Sequence, residues 1–189
     1  MATTMRFILT LLIIFQSCSL LAQKSERKFI YGTLQGSNNS ITGYFWFSNV
    51  LTQMGQHIVY KENLETKKKK TLYAKDFITF ENDSVFLRTF KTILYGTGRL
   101  DAMLPRVVPG ELELYNAIYR GFYSFSKTDH FYLYKGKERI RLVERKFKEQ
   151  MKELLGDDTD IIRRIESEEL TYSDLPTIIH NYNLRRQRK

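Results

Sequence analysis

From residue 28 to about residue 143, apolar and polar positions alternate in short runs rich in Tyr, Phe, Ile, Val and Thr. Alternation with period two sends successive side chains to opposite faces of a strand, and these residue types fit a pleated, half-buried surface. Residues 29–35 and 41–47 are predicted as the first two strands, parted by the turn residues Gly36, Ser37, Asn38 and Asn39. In the second, Ile41, Gly43, Phe45 and Phe47 share one face, and Tyr44 and Trp46 the other. Residues 56–61 and 71–75 read as a pair joined by a lysine-rich loop. Residues 77–81 and 84–88 read as a hairpin whose tight turn is Asn82-Asp83, two residues that tolerate positive φ. Pro109-Gly110 marks a further turn, and residues 131–134 and 139–143 form a last hairpin around Gly136.

The period then changes. Phe147, Met151, Leu154 and Leu155 make one helical stripe, with Gly156 placed to end it. Asp157, Asp158 and Thr159 are placed to cap a second helix carrying Ile161, Ile162 and Ile165. Ser173 is predicted to cap a third, with Asp174 and Pro176 in its first turn and Leu175, Ile178, Ile179 and Tyr182 on its apolar face. No Pro/Gly/Ser-rich linker separates strands from helices. The pattern predicts an α+β unit: an antiparallel β-sandwich or partly open barrel of about 8–10 strands, followed by two or three C-terminal helices. The expected organisation is residues 1–22 as a signal peptide, 23–143 as the β-rich body, 144–184 as helices packed on that body, and 185–189 as a basic tail.

The first residues of the chain follow neither period. Arg6 precedes an apolar run from Phe7 to Phe15 broken only by Thr10, and Leu20-Leu21-Ala22 follows. A charged start, an apolar run of about 7–15 residues and a small residue at the exit describe a secretory signal. The run is shorter than the ~20 residues a membrane span needs. Cleavage after Ala22 would remove 22 of 189 residues, leave 167, and discard the single cysteine. Cleavage before Cys18 would instead leave a lipidated cysteine, although Phe15-Gln16-Ser17 is a poor approach to such a site. Under the first reading the exported chain has no disulfide, no thiolate and no cysteine-held metal, so its core alone must stabilise it. The expected place is the periplasm or the outer membrane, with no integral membrane segment after cleavage.

Charge adds one candidate and little else. The full chain has 30 Lys and Arg against 21 Asp and Glu, a formal +9. Much of the excess sits in Lys67, Lys68, Lys69 and Lys70 and in the run 185–189. Such runs can meet anionic lipid, but a solvated loop and a frayed tail are the simpler explanation. No nucleic-acid recognition motif accompanies them.

The sequence holds no complete catalytic constellation. His57, His130 and His180 lack a nucleophile elbow. His130 beside Asp129, and the Glu111/Glu113 pair on one predicted strand face, are the available groups for a hydrolase reading. Asp157, Asp158 and Asp160 lack the glycine and distal glutamate of a calcium loop, and Gly96-Thr97-Gly98-Arg99 lacks the strand-to-helix setting of a phosphate loop. No catalytic residue, metal site or cofactor is assigned. The aromatic runs offer more. Half of each must face the core by alternation, so Tyr44, Trp46, Tyr119 and Tyr123 remain as rings to stack on a sugar or an apolar partner.

The chain resembles a group of exported proteins of Bacteroidetes-type bacteria. The likeness is carried by Tyr31-Gly32-Thr33-Leu34 and Ile41-Thr42-Gly43-Tyr44-Phe45, then by Gly110-Glu111-Leu112-Glu113-Leu114-Tyr115, Phe131-Tyr132-Leu133, Lys146-Phe147-Lys148, the run from Tyr172 to Ile179, and Tyr182-Asn183. Ser40-Ile41-Thr42 stands where that group often has an aspartate or threonine before the glycine-tyrosine strand. The resemblance implies an envelope location in a Gram-negative cell and a β-rich body with terminal helices; it brings no activity and no site residue. The leading expectation is a non-enzymatic binding or scaffold module of the envelope, its partner a protein, a glycan or anionic lipid. The alternatives are a hydrolase of an envelope polymer and peripheral attachment to anionic lipid.

Overall fold

A computed structural model describes residues 28–52, 55–93, 99–120 and 127–188. The proposed signal segment, Cys18, the Gly96–Gly98 loop and Tyr123 lie outside these residues. The described chain forms a ten-stranded, wholly antiparallel open sheet followed by helices. The strands are β1 (Ile30–Gln35), β2 (Ser40–Thr52), β3 (Gly55–Lys61), β4 (Lys70–Tyr73), β5 (Thr79–Glu81), β6 (Phe86–Ile93), β7 (Arg99–Val108), β8 (Leu112–Arg120), β9 (Lys127–Lys135) and β10 (Glu138–Arg141). Their spatial order is β10-β9-β8-β7-β6-β5-β1-β2-β3-β4, so β4 and β10 are the edges. The helices are α1 (Phe147–Leu155), α2 (Thr159–Glu166) and α3 (Leu175–Gln187). No helix of the described residues is long and apolar enough to cross a membrane.

Directly opposed residues of a ladder point to the same side of the sheet, so the register assigns faces. On the inner face Leu34, Phe45, Ile58, Leu72, Phe80, Leu87 and Met103 form one buried core, closed by Ala74 and Phe77 from the turn after β4. The sheet curls over this core until the β2–β3 hairpin meets β7. A Cβ on Gly55 would lie 2.8 Å from the Asp101 carbonyl oxygen, an approach only glycine permits. Buried Gln56 donates to the Ser48 carbonyl and accepts from the Met103 N–H at 2.9 Å. That N–H is free because β7 leaves β8 beyond Arg106, where Pro105 has no hydrogen to give.

A bulge between Arg106 and Val108 then turns Val108 to the inner face. There it joins Leu112, Leu114, Phe131 and Leu133 beneath the helices. All four residues of the α1 stripe are buried, as are Ile161 and Ile165 of α2 and Leu175, Ile178, Ile179 and Tyr182 of α3. Asn183 fastens α3 to the β7–β8 turn. It accepts from the Leu112 N–H at 3.0 Å and donates to the Pro109 and Leu112 carbonyls.

Three local expectations are corrected. The β5–β6 connection spans residues 82–85 rather than two residues, because the Asn82 side chain accepts from the Ser84 and Val85 N–H groups and widens the turn. The third helix is introduced by a 3-10 turn with a Thr171/Asp174 capping box, not by Ser173. Arg185 and Arg186 are helical rather than part of a tail: Arg185 pairs with Asp158 and Asp160, and Arg186 with Glu111 and Asp157. Asp158 caps α2 as expected, accepting from the Ile161 N–H.

Candidate functional site

The helices pack on the inner face, and no described helix covers the outer one. Because the inner positions of β1–β4 are taken by the buried core, alternation sends Tyr31, Tyr44, Trp46, His57 and Tyr73 outward. Tyr31 is 56% exposed; the other four rings are half-buried. Tyr31 lies opposite Tyr44 with ring centroids 5.1 Å apart, edge to face. Trp46 lies 5.8 Å from His57, and His57 opposes Tyr73. Val59, opposite both Trp46 and Thr71, is buried on this outward face by the side chains around it.

The rings run obliquely across four adjacent strands. Three inter-strand spacings and the rise of four residues give a row about 20 Å long. Lysines flank it, with Lys75 Nζ 5.9 Å from the Tyr73 ring and Lys61 5.4 Å from Phe29. Lys67, Lys68, Lys69 and Lys70 are all exposed where the chain enters the edge strand β4. That is also where lysines discourage edge-to-edge pairing. Tyr119 lies on β8, opposite Thr128 and away from this row. Of the rings on this face, alternation within β2 predicts Tyr44 and Trp46, and the register adds Tyr31, His57 and Tyr73. Alternation alone would have turned Tyr31 outward from Gly32 and Leu34, but only the register places these rings beside Tyr44 and Trp46.

The same face continues through β5 to β10. Thr33 opposes Glu81, and Glu81 opposes Phe86; Gln35 opposes Thr79, Thr79 opposes Arg88, and Arg88 opposes Leu104. Phe90, Tyr115 and Tyr132 meet across this face with centroids 4.8 and 5.4 Å apart, over Ala102, Leu104 and Ala117. Above them sits a polar cluster. Glu113 accepts from Arg106 at 2.8 Å and from the Tyr115 hydroxyl at 2.7 Å, and it pairs with Arg88 at 3.3 Å. Tyr115 in turn accepts from Arg88 Nε at 3.0 Å. The Arg88 guanidinium lies 3.7 Å from the Tyr134 ring centroid, and that of Arg106 lies 4.1 Å from Phe86. Burial, and then the bond donated to Glu113, hold the Tyr115 phenol well above its ordinary range. Tyr115 therefore remains a donor throughout the neutral range.

The hydrolytic candidates do not converge. Glu111 precedes β8 and pairs with Arg186, whereas Glu113 belongs to the Arg88/Arg106 cluster. The two carboxylates are therefore committed to different cations and do not form the facing pair that alternation suggested. His130 lies on β9 opposite Ala117, on the outer face. A cleft of about 420 Å3 opens where Arg145, Lys146 and Lys148 meet Glu144, Glu149 and Glu168, its cations matched by anions. Comparison with protein-family models, curated proteins and solved structures finds no match for this chain.

Proposed function

We propose that the protein is an exported, non-enzymatic module of the cell envelope that holds a polysaccharide against the outer face of β1–β4. The oblique row Tyr31–Tyr44–Trp46–His57–Tyr73 carries this reading. An extended row of rings suits an extended ligand. The C–H faces of a pyranose are apolar and weakly positive, and they fit the negative face of an aromatic ring. Tyr and Trp also bring polar tips that bond the hydroxyls around each sugar. A soluble protein seldom leaves such a row outward unless it meets a partner. The charged leader and apolar run before Gln23 support export, and the resemblance to exported Bacteroidetes-type proteins supports an envelope location.

The test is co-sedimentation with insoluble envelope polysaccharide, using protein produced from the full-length chain. Trp46→Ala and Tyr44→Ala are expected to weaken binding about ten-fold each, since buried aromatic anchors carry most of the energy of such contacts. Neither side chain supports the inner core, so circular dichroism should stay native. Undiminished binding by the Trp46→Ala/Tyr44→Ala double variant would remove the proposal.

A further inference from the structure

We propose that Arg88 and Arg106 form a receptor for acid groups on this same face, and hence that the polysaccharide is an acidic one, bearing carboxylates along its length. The inference rests on the binding reading above and adds the chemistry of the ligand. Its first support is continuity. Phe86, the ring beneath Arg106, lies two inter-strand spacings and two residues from Tyr31 on one face, about 12 Å away. A chain lying on the ring row reaches the arginines without leaving the sheet.

The second support is charge. Two guanidiniums share one carboxylate, which leaves the cluster cationic. Each guanidinium carries five N–H donors. Glu113 and Tyr115 engage two from Arg88 and one from Arg106. Arg106 is the more open of the two, with 29% of its side chain exposed against 15% for Arg88. Among the described residues, Arg139 and Arg141 join them on this face, since they oppose Tyr134 and Tyr132. Among the described residues of β6–β10, Glu113 is the sole acid on this face, and Glu81 of the adjoining β5 shares the face opposite Phe86, so the four arginines still outnumber the acids.

The third support is preorganisation. Tyr134 under Arg88 and Phe86 under Arg106 fix the planes of both forks before any anion arrives. A fork already ordered loses little freedom on binding and matches a carboxylate in bidentate fashion.

Polygalacturonate and its methyl ester share one backbone and differ in charge, so they separate the two layers of the proposal. In about 50 mM salt the acid form is expected to bind about ten-fold tighter than the ester, and the advantage should shrink in about 500 mM salt. Arg106→Gln should erase most of that preference, weakening acid-form binding far more than ester binding. Glu113→Gln should act in the opposite direction. It keeps bonding capacity toward Arg106 and Tyr115 but removes the countercharge, so acid-form binding should tighten about three-fold. A merely structural cluster would lose affinity for both polymers with Glu113→Gln, which would overturn the inference. Equal affinity for acid and ester, with binding still dependent on Trp46, would sink the acidic ligand and leave the ring row standing. Failure of both polymers to bind would defeat the underlying reading instead. Acid preference that survives Arg106→Gln, or displacement of the polymer by phosphatidylglycerol vesicles at equal affinity, would also contradict the assignment.

Discussion

Asn183→Ala is expected to destabilise the protein by about 3–4 kcal/mol, read as a lower urea midpoint with an unchanged slope. The side chain is 4% exposed and makes three hydrogen bonds, all to the backbone of the β7–β8 turn. Alanine would leave the N–H of fully buried Leu112 without a partner, together with two carbonyls. An orphaned buried group costs about 1–3 kcal/mol, more than the net worth of a bond between two satisfied groups. The bonds also join the two layers, because they attach α3 to the strand on which Leu112 and Leu114 meet the helices. Asn183→Asp separates hydrogen bonding from shape. It keeps the acceptor for Leu112 but sets an anion against two carbonyl oxygens, so a cost of about 3 kcal/mol or more is expected. A near-neutral Asp variant would mean that only shape matters there. Gly110 is tied to the same contact. Its φ is +137°, and a Cβ there would overlap the Asn183 amide, so the turn and the helix specify each other.

Phe45→Ala is expected to cost about 3–5 kcal/mol by calorimetry or denaturant titration. Phe45 is fully buried, with Tyr60 at 5.3 Å and Phe80 at 5.5 Å between ring centroids. Removing it takes apolar area from the core and leaves a cavity that strands paired on both sides cannot close by moving. Its neighbours in sequence, Tyr44 and Trp46, point the other way. Truncating either is expected to change stability by less than about 1 kcal/mol while weakening ligand binding. Comparable losses from Phe45→Ala and Trp46→Ala would mean that Trp46 is core rather than surface.

How far this could be read beforehand depends on whether the signal is local. The stripe Phe147, Met151, Leu154 and Leu155 needs only helical periodicity, and all four positions are buried. Tyr44 and Trp46 could be turned outward by alternation against Ile41, Phe45 and Phe47. The Asn82 turn is two residues longer than its sequence predicts because a side-chain acceptor, rather than backbone dihedrals, sets its length. The arginine cluster was beyond reach. Leu112 and Leu114 show that Glu113 faces away from the core, but its cations come from β6 and β7, and the ring under Arg88 comes from β9. Which strands adjoin, and in which register, is a tertiary fact that no local pattern carries. The same holds for Arg186, whose ion pair with Glu111 joins the end of the helical segment to the start of β8. A run of basic residues near a chain end therefore looks like a tail until the helix that orders it is placed.

Trp46 is the only tryptophan in the chain, so its emission reports on the ring row directly. The most direct measurement is a fluorescence titration of the protein with polygalacturonate. A saturable shift and intensity change is expected, moved to about ten-fold higher polymer concentration in Tyr44→Ala and in Tyr31→Ala although both variants remain folded. Emission that stays constant while the polymer binds by an independent method would place the ligand elsewhere and contradict the account.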